Sequence, residues 1–181
     1  MTDDEIMAGM AENDPKGFSA FERKFKERIY AVARRVFNYN ISNETLEELF
    51  YEVLFIVWEK LSKGEKINKL SAFVAIVARN KSVDLLNYEK KHTHLEKEKE
   101  QKTGDPGPED ETIKNDLIKI IKDHIKLLDP VEQEIIRLRF NEELRFHEIA
   151  KKLSMNTPAV GQRLRRSLIK LRKMLEDKVD H

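Results

Sequence analysis

The sequence predicts an all-α protein made of two small helical domains, and three observations carry that expectation. Apolar residues recur at three- and four-residue steps through most of the chain, and no run alternates with the period of a strand. Glycine and proline number only 6 and 5 in 181 residues, too few for the tight turns of a sheet protein. Charged residues reach 37%, which suits helices with solvated faces, while 40% apolar residues suffice for cores.

The elements follow in order. Phe18, Phe21, Phe25, Ile29, Val32 and Val36 make a one-sided helical stripe. After a polar break at residues 38–43, Ser42 or Asn43 can cap a second helix by accepting from its free amides. That helix runs to about Leu61, with Leu46, Leu49, Phe50, Val53, Val57 and Leu61 inward. The loop KGEKINK leads into a third helix from Leu70 to about Lys90, apolar on most sides, which predicts burial between neighbours. The stretch HTHLEKEKEQKTGDPGPEDE has almost no apolar residue and cannot offset ordering entropy, so residues 92–111 read as a flexible acidic linker whose first part can extend the third helix. Ile113, Leu117, Ile120, Ile121, Ile125 and Leu128 then mark a fourth amphipathic helix. Asp129-Pro130-Val131-Glu132 is a capping signature for a fifth, running to about Phe140. FHEIAKKLSMNTPAVGQRLRRSLIKLR reads as two helices broken at residues 154–156, with Asn156 as cap and Pro158 harmless in a first turn. The domains are expected at 14–91 and 112–176.

Formal net charge is +1, yet the charge is sorted along the chain. The first 15 residues hold five acids and no base, residues 44–59 five more acids and no base, and residues 144–175 nine bases and one acid. An acidic partner surface and a basic one are hidden in that near-zero total. There is no cysteine, hence no disulfide and no thiolate metal site. MTDDEIMAGM lacks the basic and apolar regions of a signal peptide, and no apolar run approaches the roughly 18 residues of a membrane span. A cytoplasmic protein without membrane insertion is the expectation.

Three surfaces are candidates for function. On the last helix Val160, Leu164, Leu168, Leu171 and Leu175 face a core. Arg163, Arg166, Lys170 and Lys173 fall on another face, a stripe suited to phosphates, with Arg165 beside it. At its head Asn156, Thr157, Ala159 and Gln162 are placed to reach base edges in a major groove. A solvated basic face is the plainer alternative; the short preceding helix, three-residue turn and cap favour duplex DNA. On the second helix Glu47, Glu48, Tyr51, Glu52 and Phe55 set aromatic rings among carboxylates. That pattern fits either a solvated face or a protein-binding patch, and its acidity excludes phosphate. Lys66, Asn68, Lys69, Phe73, Arg79, Asn80 and Lys81 mix cations, amides and a ring, as a single-strand site requires, although a core Phe73 beside loop lysines explains them equally. Nothing points to catalysis or a cofactor. There is no glycine-rich phosphate cradle, zinc signature or nucleophile motif. His92 and His94 fall in the linker, and His147-Glu148 reads as structural.

FERKFKERIYAVARRVF, LEELFYEVLFIVWEKL, AFVAIVARNKSVDLLNYEKK and LDPVEQEIIRLRFNEELRFHEIAKKLSMNTPAVGQRLRRSLIKLR resemble, in that order, the ECF (extracytoplasmic-function, group IV) RNA polymerase sigma factors. The order together with VARN…VDLL and the position of Trp58 carries the likeness. The resemblance implies a region 2-like domain that docks on the polymerase clamp and captures the minus-ten promoter element as separated strands. It implies a region 4-like helix-turn-helix that reads the minus-thirty-five duplex. Glu47, Glu48, Tyr51, Glu52 and Phe55 would then meet core polymerase, residues 66–81 single-stranded promoter DNA, and residues 157–166 duplex. The linker would lie on the RNA exit path and mimic its charge, and an anti-sigma factor would hold the protein inactive.

The family's usual Asp-Leu-Val-Gln-Glu is here Glu48-Leu49-Phe50-Tyr51-Glu52. Ile56 replaces a frequent Arg, Phe73 a frequent Trp, and Gly161 a common Lys. Its arginine run after the third helix is here Asn87-Tyr88-Glu89-Lys90-Lys91. These departures imply altered clamp contacts and an unusual promoter. Tyr51 and Ile56 leave room for a stand-alone helix-turn-helix regulator that does not bind polymerase; a pure adaptor protein is the third reading.

Overall fold

The structure, a computed structural model, describes the backbone of residues 1–94 and 111–179 and the side chains of residues 1–91 and 118–176. The chain divides into two compact units, residues 1–96 and 97–181. Every regular element among the described residues is an α-helix. The expected linker lies outside the described residues from 95 to 110; residues 92–94 belong to the helix before it.

The first unit holds α1 (Asp3–Ala11), α2 (Pro15–Val36), α3 (Asn43–Ser62) and α4 (Leu70–His94). The sequence places its start at Asp14; α1 extends it to residue 3. Thr2 and Glu5 form a reciprocal cap, with the Glu5 amide donating to Thr2 Oγ1 at 3.2 Å and the Thr2 amide to Glu5 Oε2 at 2.7 Å. Ile6 and Met10 are buried, and Asp3 reaches Lys24 of α2 at 2.6 Å and the Ser71 hydroxyl of α4 at 3.1 Å. Asp14 caps α2 and Pro15 opens it; Ser42 caps α3 through the Thr45 amide at 3.1 Å. The expected stripes pack as a core, with Phe18, Phe21, Phe25, Ile29, Leu46, Leu49, Phe50, Val53 and Val57 all buried.

The indole of Trp58 on α3 donates to Asn13 Oδ1 at 2.9 Å. Asn13 sits in the left-handed region, φ 61°, at the α1–α2 turn. This bond pins the turn to α3, a structural reason for the single tryptophan at that position. The expectation for α4 needs correction. Leu70, Val74, Val77 and Ala78 are buried, but Ala72, Ala75 and Ile76 are exposed, Ile76 by 59%. One side of α4 is therefore wet although its residues are small or apolar.

The second unit holds α5 (Glu111–Ile125), α6 (Pro130–Phe140), α7 (Phe146–Lys152) and α8 (Thr157–Val179). Asp129 Oδ1 accepts from the Val131 and Glu132 amides, both at 2.9 Å, and Glu132 returns to the Asp129 amide, so the predicted capping box is formed. Leu128, Ile135, Ile136, Leu138, Phe146, Ile149, Val160, Leu164 and Leu171 make the core. The stripe expected on α5 points only partly inward: Ile120 and Ile121 are exposed, as is Ile118. The Arg139 guanidinium stacks 4.8 Å from the Phe146 ring and donates to the Leu144 carbonyl at 3.1 Å, fixing the entry into α7.

Candidate functional site

The α7–turn–α8 segment is a helix-turn-helix. Ser154 takes φ 53° in the turn, the Met155 amide donates to the Ala150 carbonyl at 2.8 Å, and Asn156 Oδ1 caps α8 by accepting from the Ala159 amide at 2.8 Å. Asn156 thus orients the reader through its side-chain oxygen. Thr157, expected at base edges, is buried at 5% exposure and packs inside the unit instead. Gly161 is buried too, so it lies off the exposed face, and its difference from a family Lys does not weaken that face toward phosphate.

The basic stripe of α8 splits into two ridges. Arg163 and Lys170, seven residues apart, face the start of α6: Lys170 Nζ lies 2.7 Å from Glu132 Oε1, and Arg163 Nη1 lies 3.9 Å from Asp129 Oδ2. Gln162, Arg166 and Lys173 form a neighbouring exposed ridge at helical steps of four and seven, with Ala159 half-buried at its head. Arg165 is half-buried about half a turn away from Arg163. The contiguous cation-bearing face presented to a ligand is therefore Gln162–Arg166–Lys173, flanked by the screened Arg163 and Lys170.

On α3 the five expected residues do not share one surface. Glu48 and Tyr51 are buried, at 4% and 3% exposure, and Tyr51 packs edge-on to Phe50 with ring centroids 5.2 Å apart. The Phe50-Tyr51 departure goes into the core, which corrects its reading as an altered clamp contact. Glu47 is partly exposed and engaged: Lys26 Nζ, which also meets Glu22, sits 2.9 Å from its Oε1. Burial acts to lower the Lys26 ammonium, but Glu47 and Glu22 outweigh it and hold it above its usual range. Burial, and then Glu47, push the Tyr30 phenol up. Glu52 and Phe55 remain half-exposed, with the Phe55 ring 6.4 Å from that of Trp58 and Glu59 exposed one turn on. The surviving acidic patch is Glu52–Phe55–Glu59, edged by Glu47.

Lys66 and Asn68 are exposed in the turn before α4. Lys69, Phe73 and Asn80 line one ridge and Arg79 the next; Lys81 is turned about 100° from Asn80 and half-buried. Phe73 is half-exposed, with the Lys60 ammonium 5.9 Å from its ring, so it is neither plain core nor bare surface. Sequence reading missed Ile76, which projects between Phe73 and Asn80 on the same ridge. The apolar character of α4 on most sides predicts burial there, and the packing of α2 against the opposite side leaves Ile76 out. Among the described residues no group of His, Asp or Glu is arranged to hold a metal, and no helix is long and apolar enough to cross a membrane.

Residues 125–173, which contain α7, the turn and α8 as far as residue 173, match the family Sigma-70, region 4. The second unit is thus a sigma region 4 domain. Across 96% of this chain and 93% of theirs, ECF RNA polymerase sigma factors SigK of Mycobacterium tuberculosis and Mycobacterium bovis are 24% identical to it. SigK of Mycolicibacterium vanbaalenii is 22% identical over 95% of this chain and 88% of its own. A chain of the RsbN–BldN complex is 17% identical and covers 93% of this chain and 98% of that one, at a TM-score of 0.35, too low to bear on the fold. Along nearly its whole length the chain is thus similar to ECF RNA polymerase sigma factors, with the sigma region 4 match confined to residues 125–173.

Proposed function

We propose that this sigma factor binds core RNA polymerase through Glu47, Glu52, Phe55 and Glu59 of α3. The Lys66–Lys69 turn and the Phe73–Asn80 side of α4 hold single-stranded promoter DNA. The Gln162–Arg166–Lys173 ridge of α8, with Arg163 and Lys170 beside it, holds duplex promoter DNA. It acts in the cytoplasm and without chemistry of its own, adding specificity to the polymerase's reaction. An anti-sigma factor that covers these surfaces is the expected negative regulator.

The observation that carries this reading is the placement of an acidic, ring-bearing surface and a basic helix-turn-helix ridge in two separate units of one chain. Carboxylates around a ring repel phosphate and suit a basic protein groove, whereas Arg166 and Lys173 suit phosphate. Two tethered readers gain effective concentration only on elements at matched spacing, which is how a promoter is distinguished from an isolated half-site. The regulator that ignores polymerase is not favoured: of the two residues behind it, Tyr51 is a core residue and only Ile56 is left, half-buried.

A reciprocal substitution tests the assignment. Replacing Glu52 and Phe55 by Ala should abolish co-elution with core polymerase while duplex binding persists. Replacing Arg166 and Lys173 by Ala should do the reverse and lower the salt slope of duplex binding by about two. Wild-type affinity for core polymerase in the first variant, or an unchanged slope in the second, contradicts the corresponding surface.

A further inference from the structure

Asp129 does two things with its two oxygens. Oδ1 caps α6, while Oδ2 faces Arg163 of α8 at 3.9 Å. Three residues on, Glu132, with its side chain only 6% exposed, holds Lys170, two turns below Arg163 on the same ridge. The first turn of α6 thus sets two carboxylates against one edge of the duplex-reading helix. Helix capping needs a side-chain acceptor at position 129, and Asn would supply it as well as Asp. The negative charge, placed against a cation next to the phosphate-binding ridge, is surplus to capping.

We propose that Asp129 is a positioning residue for DNA recognition: its charge holds the Arg163 guanidinium on the α6 side and limits indiscriminate phosphate binding by the reader. This rests on the assignment of α8 as the duplex reader. A phosphate brought to Arg163 competes with a carboxylate already there, so part of the attraction is spent on exchanging partners. Base-edge contacts along Gln162 and Ala159 are untouched by that exchange. The acid therefore lowers affinity for any duplex and raises the share of binding that comes from reading bases.

The test uses the full chain and a short fluorescent duplex of random sequence, titrated over a range of salt, with Asp129→Asn, Arg163→Ala and the double variant. Asp123→Asn, elsewhere in the same unit, controls for the change in net charge. Asp129→Asn should tighten binding about two- to fivefold at low salt, the range of a half-exposed ion pair, and steepen the salt slope by up to about one. Asp123→Asn should do less, and the gain should vanish when Arg163 is Ala. A gain of equal size with and without Arg163, or no gain beyond that of Asp123→Asn, overturns the proposal while leaving the reader assignment standing. If Arg163→Ala, alone and together with Arg166→Ala, leaves duplex binding unchanged, the reader assignment falls and this inference with it.

Discussion

Gly17 shows how one missing side chain positions a helix. A Cβ there would lie 2.6 Å from the Gly9 carbonyl carbon and 2.7 Å from the Met10 nitrogen, so α1 and α2 cross backbone to backbone. Gly17→Ala should therefore lower stability by roughly 1–3 kcal/mol in chemical denaturation, with Trp58 fluorescence changing as the α1–α2 turn shifts. Gly64 has open space around it but φ +72°, so Gly64→Ala should cost about 1 kcal/mol through backbone strain alone. The α8 cations divide in a similar way. Lys170→Ala leaves the buried Glu132 carboxylate without its cation, with only the Asp129 amide still donating to it, and should cost roughly 1–3 kcal/mol of stability. Arg166→Ala should leave the thermal midpoint nearly unchanged and lower the salt slope of duplex binding by about one. The opposite pattern in the two variants would contradict the division into ridges. Residue type and spacing located the Asn156 cap and the Asp129 cap, but ran together on one face the cations that α8 divides between two ridges. They could not show that Thr157 and Tyr51 turn inward, because a polar or amphipathic side chain has no period of its own and its burial is decided by the neighbouring helix.

At the scale of elements, α1 is attached by both apolar and polar contacts. It is nine residues long, buries Ile6 and Met10, and is tied down by Asp3 to Lys24 and Ser71. An isolated helix of that length is not stable in water, so its contacts to α2, α3 and α4 hold it. The hydrogen bond from Lys24, more than any other influence, holds the Asp3 carboxyl below its ordinary value of 3.8. A carboxyl that titrates lower when docked stabilises docking at pH above that ordinary value, and the contribution fades as the pH falls through the lowered one. Wild type should thus melt higher than Asp3→Asn at neutral pH, and the gap should close as the pH falls below the ordinary carboxyl value of 3.8; a gap independent of pH would contradict this role. Seven of the eight described helices were legible because each carries a stripe or a cap that periodicity detects. The acidic start that includes α1 reads only as charge in the sequence, since two buried apolar residues and a helix-crossing glycine leave almost no pattern. The side of α4 bearing Ala72, Ala75 and Ile76 was misjudged for the converse reason: hydrophobicity all round says a helix can be buried everywhere, and the number of helices packed on it decides whether it is.

Across the whole molecule the organising feature is the sorting of charge. A net charge of +1 would predict little attraction to either nucleic acid or a basic protein groove. Divided between two units, the same residues give one surface that avoids phosphate and another that seeks it. On the proposed function, that division also gives a role to the first unit, which a helix-turn-helix would not need in order to bind DNA alone: engaging the polymerase and the separated strands. The central claim is that both surfaces work together in initiation, and one reconstitution examines it most directly. The purified chain is combined with core RNA polymerase and a library of duplex promoters, and the transcripts formed are mapped to their start sites. The account predicts a stable complex and transcripts that begin at a fixed distance downstream of a shared pair of sequence elements, lost when either Glu52 with Phe55 or Arg166 with Lys173 is replaced by Ala. No complex with core polymerase, together with start sites indistinguishable from those of the core enzyme alone, would contradict it.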